Sequence, residues 1–319
     1  MFAPLKRIKS LYSLVVIALL CAVSTSQSQD ESLPEWHDDY QSGVEQARKE
    51  GKDLLLVFTA TSWIEICEEF YKEILRQPDF MQPVSEKFVL IKLEYPKDGK
   101  LQKEEAFQKS LLRDAYRVNG FPTVVFTDAE GRPFGMNGYM PVTPAEYAEV
   151  ALAIKDSHKK TLESREAAGN LSGIERAKKL IESVPHLPGN FAARYYKEIL
   201  EEVVELDPEN TLGHTEKFRK LLADAEYATK MQVLAKDVQW QKMIDLSDQY
   251  IEDFGLEGTE KQKVLMNKAG VQKQQNNAVG MIQTLVEIVK IDETSPLGLQ
   301  AQQRLDVLRA GRLEGELAR

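Results

Sequence analysis

Cysteine is scarce in this sequence. Only Cys21 and Cys67 occur among 319 residues, and Cys21 lies in an N-terminal segment that we expect to be removed. A mature chain with one thiol forms no internal disulfide, so its stability must come from core packing. A chain of this length is ample for two packed domains.

Sequence signals for metals and cofactors are also missing. There is no Gly-rich phosphate loop, no Gly-x-Ser-x-Gly elbow and no His-Glu-x-x-His motif. The four histidines are scattered without ligand spacing, at His37, His158, His186 and His214. We therefore predict no metal site and no cofactor.

Positive charge is under-represented. The chain carries 41 Lys and Arg against 50 Asp and Glu, a net charge of -9. Loss of the N-terminal segment removes three cations and no carboxylate, which makes the net charge about -12. Because such a surface repels phosphate backbones and anionic lipids, we expect no nucleic-acid binding. We predict a protein or peptide partner instead.

The N-terminal segment has the pattern of a secretory signal. Lys6, Arg7 and Lys9 precede an apolar run at residues 11–23, and small residues follow it. The run is shorter than the ~20 apolar residues that span a bilayer, although an uncleaved anchor is the alternative. We predict a signal peptide at residues 1–26, export to the periplasm or outside the cell, and no membrane insertion after cleavage.

Residues 36–155 mix strand and helix patterns. Short continuous apolar runs indicate strands that are buried on both faces. The predicted order is β-α-β-α-β-β-α behind an N-terminal helix, with Thr143 as the N-cap of the last helix. The predicted segments are an edge-covering strand or turn at 36–40, a helix at 44–51 that ends at Gly51, and strands at 54–58, 88–93, 123–127 and 132–139.

Two motifs in this region resemble the thioredoxin family. The first runs from Phe58 through Trp63 and Ile64 to Cys67, and the second is Gly120-Phe121-Pro122-Thr123. In that family a strand runs into F-x-x-x-x-W-C-x-x-C at the start of a helix, and a cis-Pro loop faces the two sulfurs. The resemblance covers about 120 residues, and it implies the thioredoxin fold.

The resemblance also implies that the ability to exchange disulfides is lost. Ile64 occupies the position of the attacking cysteine, and Cys67 matches the second, more buried one. Disulfide exchange needs a thiolate that attacks and a second thiol that resolves the mixed disulfide, so ordinary turnover is not expected. Cys67 stays a candidate catalytic residue for single-thiol chemistry, although its acidic and apolar neighbours disfavour a thiolate. The alternative is that Cys67 is a small core residue.

The Pro loop carries a separate hypothesis. In the family it presents the backbone before the Pro to an extended substrate. Carried over, this implies a peptide-binding shelf of Trp63, Ile64, Phe121, Pro122 and Thr123. A purely structural role of the loop stays equally open.

From about residue 162 strand signals vanish and segments with helical periodicity follow one another. Residues 199–213 are echoed at 284–298, with six of fifteen positions identical. The echo resembles a degenerate tetratricopeptide repeat, but its offset of 85 residues does not fit a 34-residue array. Plain helix hairpins are the alternative.

The sequence therefore predicts an α/β thioredoxin-like fold in an N-terminal domain (residues 27–160) and an all-α helical-repeat or hairpin domain (residues 161–319). The leading hypothesis for function is an exported peptide-binding or adaptor module, with a second contact on the concave face of the helical array. The alternative is a monothiol redox protein that acts through Cys67.

Overall fold

The computed structural model describes residues 34–97, 99, 101–187 and 191–317, with side chains as far as residue 310. The predicted signal peptide, residues 1–26, lies outside the described residues. In the described part of the chain, no helix has the length and apolar character needed to cross a membrane.

The described chain begins as an α/β domain and continues as a series of helices. This confirms the predicted fold class. The α/β elements are α1 (Tyr40–Glu50), β1 (Asp53–Thr59), α2 (Glu65–Glu69) with a π-helical continuation (Phe70–Leu75), α3 (Pro78–Ser85), β2 (Phe88–Glu94), α4 (Lys103–Ala115), β3 (Thr123–Thr127), β4 (Pro133–Gly138) and α5 (Pro144–Ala168). The later helices are α6 (Gly173–Glu182), α7 (Phe191–Tyr195), α8 (Lys197–Leu206), α9 (Thr215–Lys236), α10 (Trp240–Asp253), α11 (Gly258–Gln274), α12 (Ala278–Ile291) and α13 (Pro296–Leu317).

The four strands form one mixed sheet in the order β2-β1-β3-β4. Strand β1 runs parallel to β2 and antiparallel to β3. Its apolar residues are at most 1% exposed because alternate side chains enter two different cores. Leu55 and Val57 belong to one core, whereas Leu54, Leu56 and Phe58 belong to the other.

Local end signals lie where the sequence predicts them. Gly51 ends α1 in the left-handed region at φ 66°, which glycine adopts without steric cost. Thr143 and Glu146 form a reciprocal capping box at the start of α5. The residues around His37 cover the outer edge of β2, where His37 N–H donates to Leu90 C=O at 2.9 Å, and this confirms the predicted edge cover.

The helix over Phe191–Leu206 differs from its sequence pattern. The spacing of the apolar residues predicts a single buried face, but the chain leaves helical geometry at Tyr196, with φ -127° and ψ 22°. As a result the apolar residues divide between two cores. Phe191 and Tyr195 join the sheet core that contains Phe58, and Val203 joins a core of the helical part.

Helix α7 therefore fastens the helical part to the sheet. The Tyr195 hydroxyl donates to Ala115 C=O at 3.1 Å, and the Tyr196 hydroxyl donates to Pro133 C=O at 2.9 Å. Helix α5 also serves both parts, since it packs on the sheet core through Tyr147 and on α6 further along. The domain boundary predicted after residue 160 falls inside α5 and stays a prediction.

The internal echo places an aspartate directly after each of two helices. Asp207 follows α8, and its carboxylate accepts hydrogen bonds from the N–H groups of Thr211 and Leu212 at 2.7 and 2.9 Å. Asp292 follows α12 and closes a tighter turn, since it accepts from the N–H groups of Thr294 and Ser295 at 2.9 and 3.1 Å. The repeated aspartate thus shapes a turn after each helix. The tetratricopeptide resemblance itself stays a prediction.

The docking of α7 generates a testable prediction. Phe191 is 4% exposed in the sheet core, and truncation of a buried Phe leaves a cavity that costs about 3 kcal/mol. Phe191→Ala should lower the free energy of unfolding by this amount in urea denaturation. Phe107→Ala, at a side chain that is 67% exposed, should change it by no more than about 0.5 kcal/mol. Equal effects of the two substitutions would contradict the docking of α7.

Candidate functional site

The sheet topology brings three chain segments to one end of the sheet. Phe58, near the end of β1, pairs with Leu93 near the end of β2 and with Thr123 at the start of β3. Three segments therefore meet at the same end of the sheet: the residues after β1, the residues after β2 and the Pro loop before β3. This end of the sheet holds all the site residues predicted from the sequence.

The start of α2 is built without a side-chain cap. Ala60 C=O accepts from the N–H groups of Trp63 and Ile64 at 3.1 and 2.9 Å, which closes the turn before the helix. Ile64 is the N-cap residue, in extended conformation with φ -118° and ψ 110°. Its aliphatic side chain accepts no hydrogen bond from the first helical turn. Ile64, which the resemblance aligns with the attacking cysteine, therefore carries no group that can ionise or attack a disulfide.

Cys67 lies in the first turn of α2 and is fully buried, with an exposed fraction of 0%. It is a free thiol, and no second cysteine lies within the described residues. Trp63, four residues earlier, is 45% exposed. The predicted site thus separates into a buried sulfur and an accessible surface.

Three aromatic side chains form this surface, which we call the aromatic shelf: Trp63, Tyr95 and Phe121. The Trp63 indole Nε1 donates to Tyr95 C=O at 2.8 Å, which fixes the ring beside the end of β2. The Tyr95 ring stacks on Phe121 with a centroid distance of 4.8 Å. Sequence reasoning missed Tyr95, although its place directly after a strand that ends at this edge was a usable signal.

The Pro loop lies beside the shelf. The Phe121–Pro122 peptide is cis, as the resemblance implies. The Thr123 hydroxyl donates to Gly120 C=O at 2.8 Å, and Thr123 pairs with Gly138 in β4. A Cβ at Gly138 would lie 3.0 Å from Pro122 C=O, so the close approach of the two backbones favours glycine there.

The backbone of Phe121 takes no part in the hydrogen bonds of this loop. Within the part of the chain that the structure describes, neither its N–H nor its C=O has a hydrogen-bond partner. The side chains of Ile64, Phe121, Pro122 and Thr123 are half-buried. A donor and an acceptor without a partner among the described residues therefore lie beside an apolar surface.

Glu94 holds the loop that carries Trp63. Its carboxylate accepts from the Thr61 hydroxyl at 2.8 Å, from Ser62 N–H at 3.3 Å and from Lys92 Nζ at 3.2 Å. Burial favours the protonated acid, but the Thr61 hydroxyl and the Lys92 ammonium outweigh it and hold the pKa of Glu94 below its ordinary value. Lys109 Nζ, nearly buried, donates to Glu94 C=O at 2.9 Å from the other side.

A metal site is not formed by the residues that the structure describes, since no three His, Cys, Asp or Glu side chains converge among them. The aromatic shelf offers apolar contact and backbone hydrogen bonds.

Comparison with known proteins identifies this domain. Residues 40–154 match the family profile described as a thioredoxin-like domain. This part of the chain has a thioredoxin-like fold.

Two related proteins come from Chlamydia pneumoniae. The thioredoxin-related protein DsbJ is 30% identical over 129 residues, which are 40% of this chain and 37% of DsbJ. The disulfide bond reductase DsbH is 24% identical over 152 residues, which are 44% of this chain and 91% of DsbH. The thioredoxin-like domain is therefore related to Dsb proteins, although the chain spans little more than a third of the length of DsbJ.

Solved structures match over the same share of the chain. A DsbH oxidoreductase is 26% identical with a TM-score of 0.36, and the match covers 39% of this chain and 86% of that structure. A thioredoxin from Thermus thermophilus is 18% identical with a TM-score of 0.31, and the match covers 39% of this chain and 88% of that structure. The family profile ends at residue 154, before the series of helices α6–α13.

The burial of Cys67 predicts slow thiol modification. We expect the folded protein to react with Ellman's reagent at least about 100-fold more slowly than the urea-unfolded protein, because the sulfur is exposed only on opening of the structure. The Cys21→Ser variant provides the background for this measurement, since Cys67 is then the single thiol. Reaction of the folded variant at the rate of a free thiol would contradict the buried position.

Proposed function

We propose that this chain is an exported thioredoxin-like protein that binds an extended segment of a partner protein and does not exchange disulfides. The observation that carries this proposal is the pairing of Ile64 at the head of α2 with a fully buried Cys67. A thiolate must be accessible to attack a disulfide, and this site exposes no sulfur among the described residues.

The aromatic shelf supports the binding part of the proposal. Trp63 presents a large, partly exposed ring whose position is fixed by its hydrogen bond to Tyr95. Such anchored aromatic side chains dominate binding energy at protein interfaces. The open N–H and C=O of Phe121 add the main-chain hydrogen bonds by which an extended peptide is recognised.

Export rests on the sequence of residues 1–26, which has the charge and apolar pattern of a signal peptide. The absence of an internal disulfide is compatible with an oxidising compartment, because a single buried thiol has no partner to oxidise with. The monothiol alternative requires Cys67 to reach solvent, and the native-state labelling described above separates the two hypotheses.

Substitution of Trp63 tests the shelf. We expect the protein to bind reduced, carbamidomethylated ribonuclease A, an unfolded chain without thiols, and Trp63→Ala to weaken this binding at least about tenfold because a central anchor is lost. Isothermal titration calorimetry measures the change. Phe107→Ala, which removes another exposed aromatic ring of the same domain, is the matched control and should bind as the wild type does. The proposal that the aromatic shelf binds peptides is refuted if the wild type does not bind, or if both variants lose the same affinity.

Restoring the missing sulfur tests the redox part. Ile64→Cys places a thiol at the N-cap, one helical turn before Cys67, and we expect a disulfide between the two residues and measurable reduction of insulin by the variant with dithiothreitol. The wild type should stay at the uncatalysed rate. If the wild type reduces insulin at the rate of the variant, the proposal that it does not exchange disulfides is wrong.

A further inference from the structure

A second surface lies in the helical part, far along the chain from the aromatic shelf. Helix α10 packs against both α9 and α11, whereas α9 and α11 do not pack closely on each other. A groove of about 840 Å³ is left between α9 and α11, with α10 as its floor. We call it the α9–α11 groove. A residue stripe at i, i+3/i+4, i+7 and i+11 on each wall helix faces into it.

The apolar part of the lining is aromatic and rich in methionine. Tyr227 and Tyr250 stack at a centroid distance of 4.5 Å beneath the groove. Met231, Met243 and Met266 also line it. Methionine side chains are flexible and polarisable, and they are favoured at surfaces that bind varied peptide side chains.

The groove continues beyond α11. A second depression of about 580 Å³, lined by α11, α12 and α13, shares Gly270, Gln274 and Arg304 with the first. The stripe on α11 from residue 260 to residue 274 extends about 21 Å at 1.5 Å per residue. This length suits a peptide segment, since it corresponds to about six residues of extended chain.

The charge of the lining is opposite to that of the whole protein. Lys220, Lys263, Lys273 and Arg304 line the two depressions, against the carboxylates of Asp224 and Glu260. Lys220 already pairs with Asp224 and lies 4.0 Å from Glu260. The other three cations have no carboxylate partner within the described residues. A chain with a net charge of -9 therefore displays unpaired cations here.

Gly270 widens the groove. It lies inside α11, where glycine is less favourable than alanine. A Cβ at Gly270 would meet no side chain and no backbone of another element within 4 Å, whereas a Cβ at Gly43 in α1 would lie 2.3 Å from Ile91 Cδ1. The packing of this chain thus requires glycine at position 43 but not at position 270. Gly270 instead opens the place where the two depressions join.

We propose that the α9–α11 groove binds an acidic peptide segment in which apolar side chains are flanked by carboxylates. The apolar side chains contact the methionines and the tyrosine pair. Lys263, at the beginning of α11, receives a carboxylate at one end. Lys273 and Arg304 receive a carboxylate at the other end. The binding is independent of the aromatic shelf.

The test uses three fluorescein-labelled 12-residue peptides that share a central Leu-Met-Phe sequence and carry Glu, Gln or Lys on both sides. Fluorescence anisotropy with the purified full chain should give the tightest binding for the Glu peptide, and its affinity should fall as NaCl rises because exposed charges are screened. Gly270→Leu fills the groove from the open side, so it should weaken binding of the Glu peptide at least about tenfold while the melting temperature stays equal or rises.

Charge reversal identifies the cations. Lys273→Glu with Arg304→Glu should shift the preference from the Glu peptide to the Lys peptide. The matched control, Lys178→Glu with Lys242→Glu, makes the same change in net charge at exposed positions outside the groove, and it should keep the preference for Glu. Trp63→Ala should also keep it. No binding of the Glu peptide at about 1 mM, unchanged binding by Gly270→Leu, or a shift of preference in the control would each overturn the proposal.

Discussion

Burial of β1 on both faces is the constraint on which the structure depends. The strand has no polar face, so each side of the sheet must be covered by other elements. The π-helical continuation of α2, together with α3 and α5, covers one side, and α1 and α4 cover the other. The second cover is completed by Phe191 and Tyr195 of α7, which come from the helical part of the chain. Part of the core of the thioredoxin-like domain therefore comes from residues beyond position 154, where the family profile ends.

The same strand fixes the site, because the end of β1 leads directly into Trp63 and Ile64. The neighbouring strands then supply Tyr95 and the Pro loop at the same edge. The fold therefore brings these segments together at the end of the sheet even though no cysteine stands at position 64. In the proposed function, Ile64 stands in place of the attacking cysteine while the scaffold is kept, so fold and chemistry are separable at this site.

Local signals made much of the fold predictable. The strand at 54–58, the cap at Thr143, the end of α1 at Gly51 and the edge cover near His37 all depend on nearby residues. The break at Tyr196 could not be predicted, because it follows from the docking of α7 on the sheet rather than from helical periodicity. Tyr95 was missed although its place directly after β2 was a usable signal, because its part in the site arises from contacts with Trp63 and Phe121.

Helix α5 has a consequence for binding. It runs unbroken over 25 residues, with its first half in the sheet core and its last turns against the helices that follow. A partner with one segment for each surface would gain avidity, because binding of the first segment holds the second at a high effective concentration, set by the length of the linker between them.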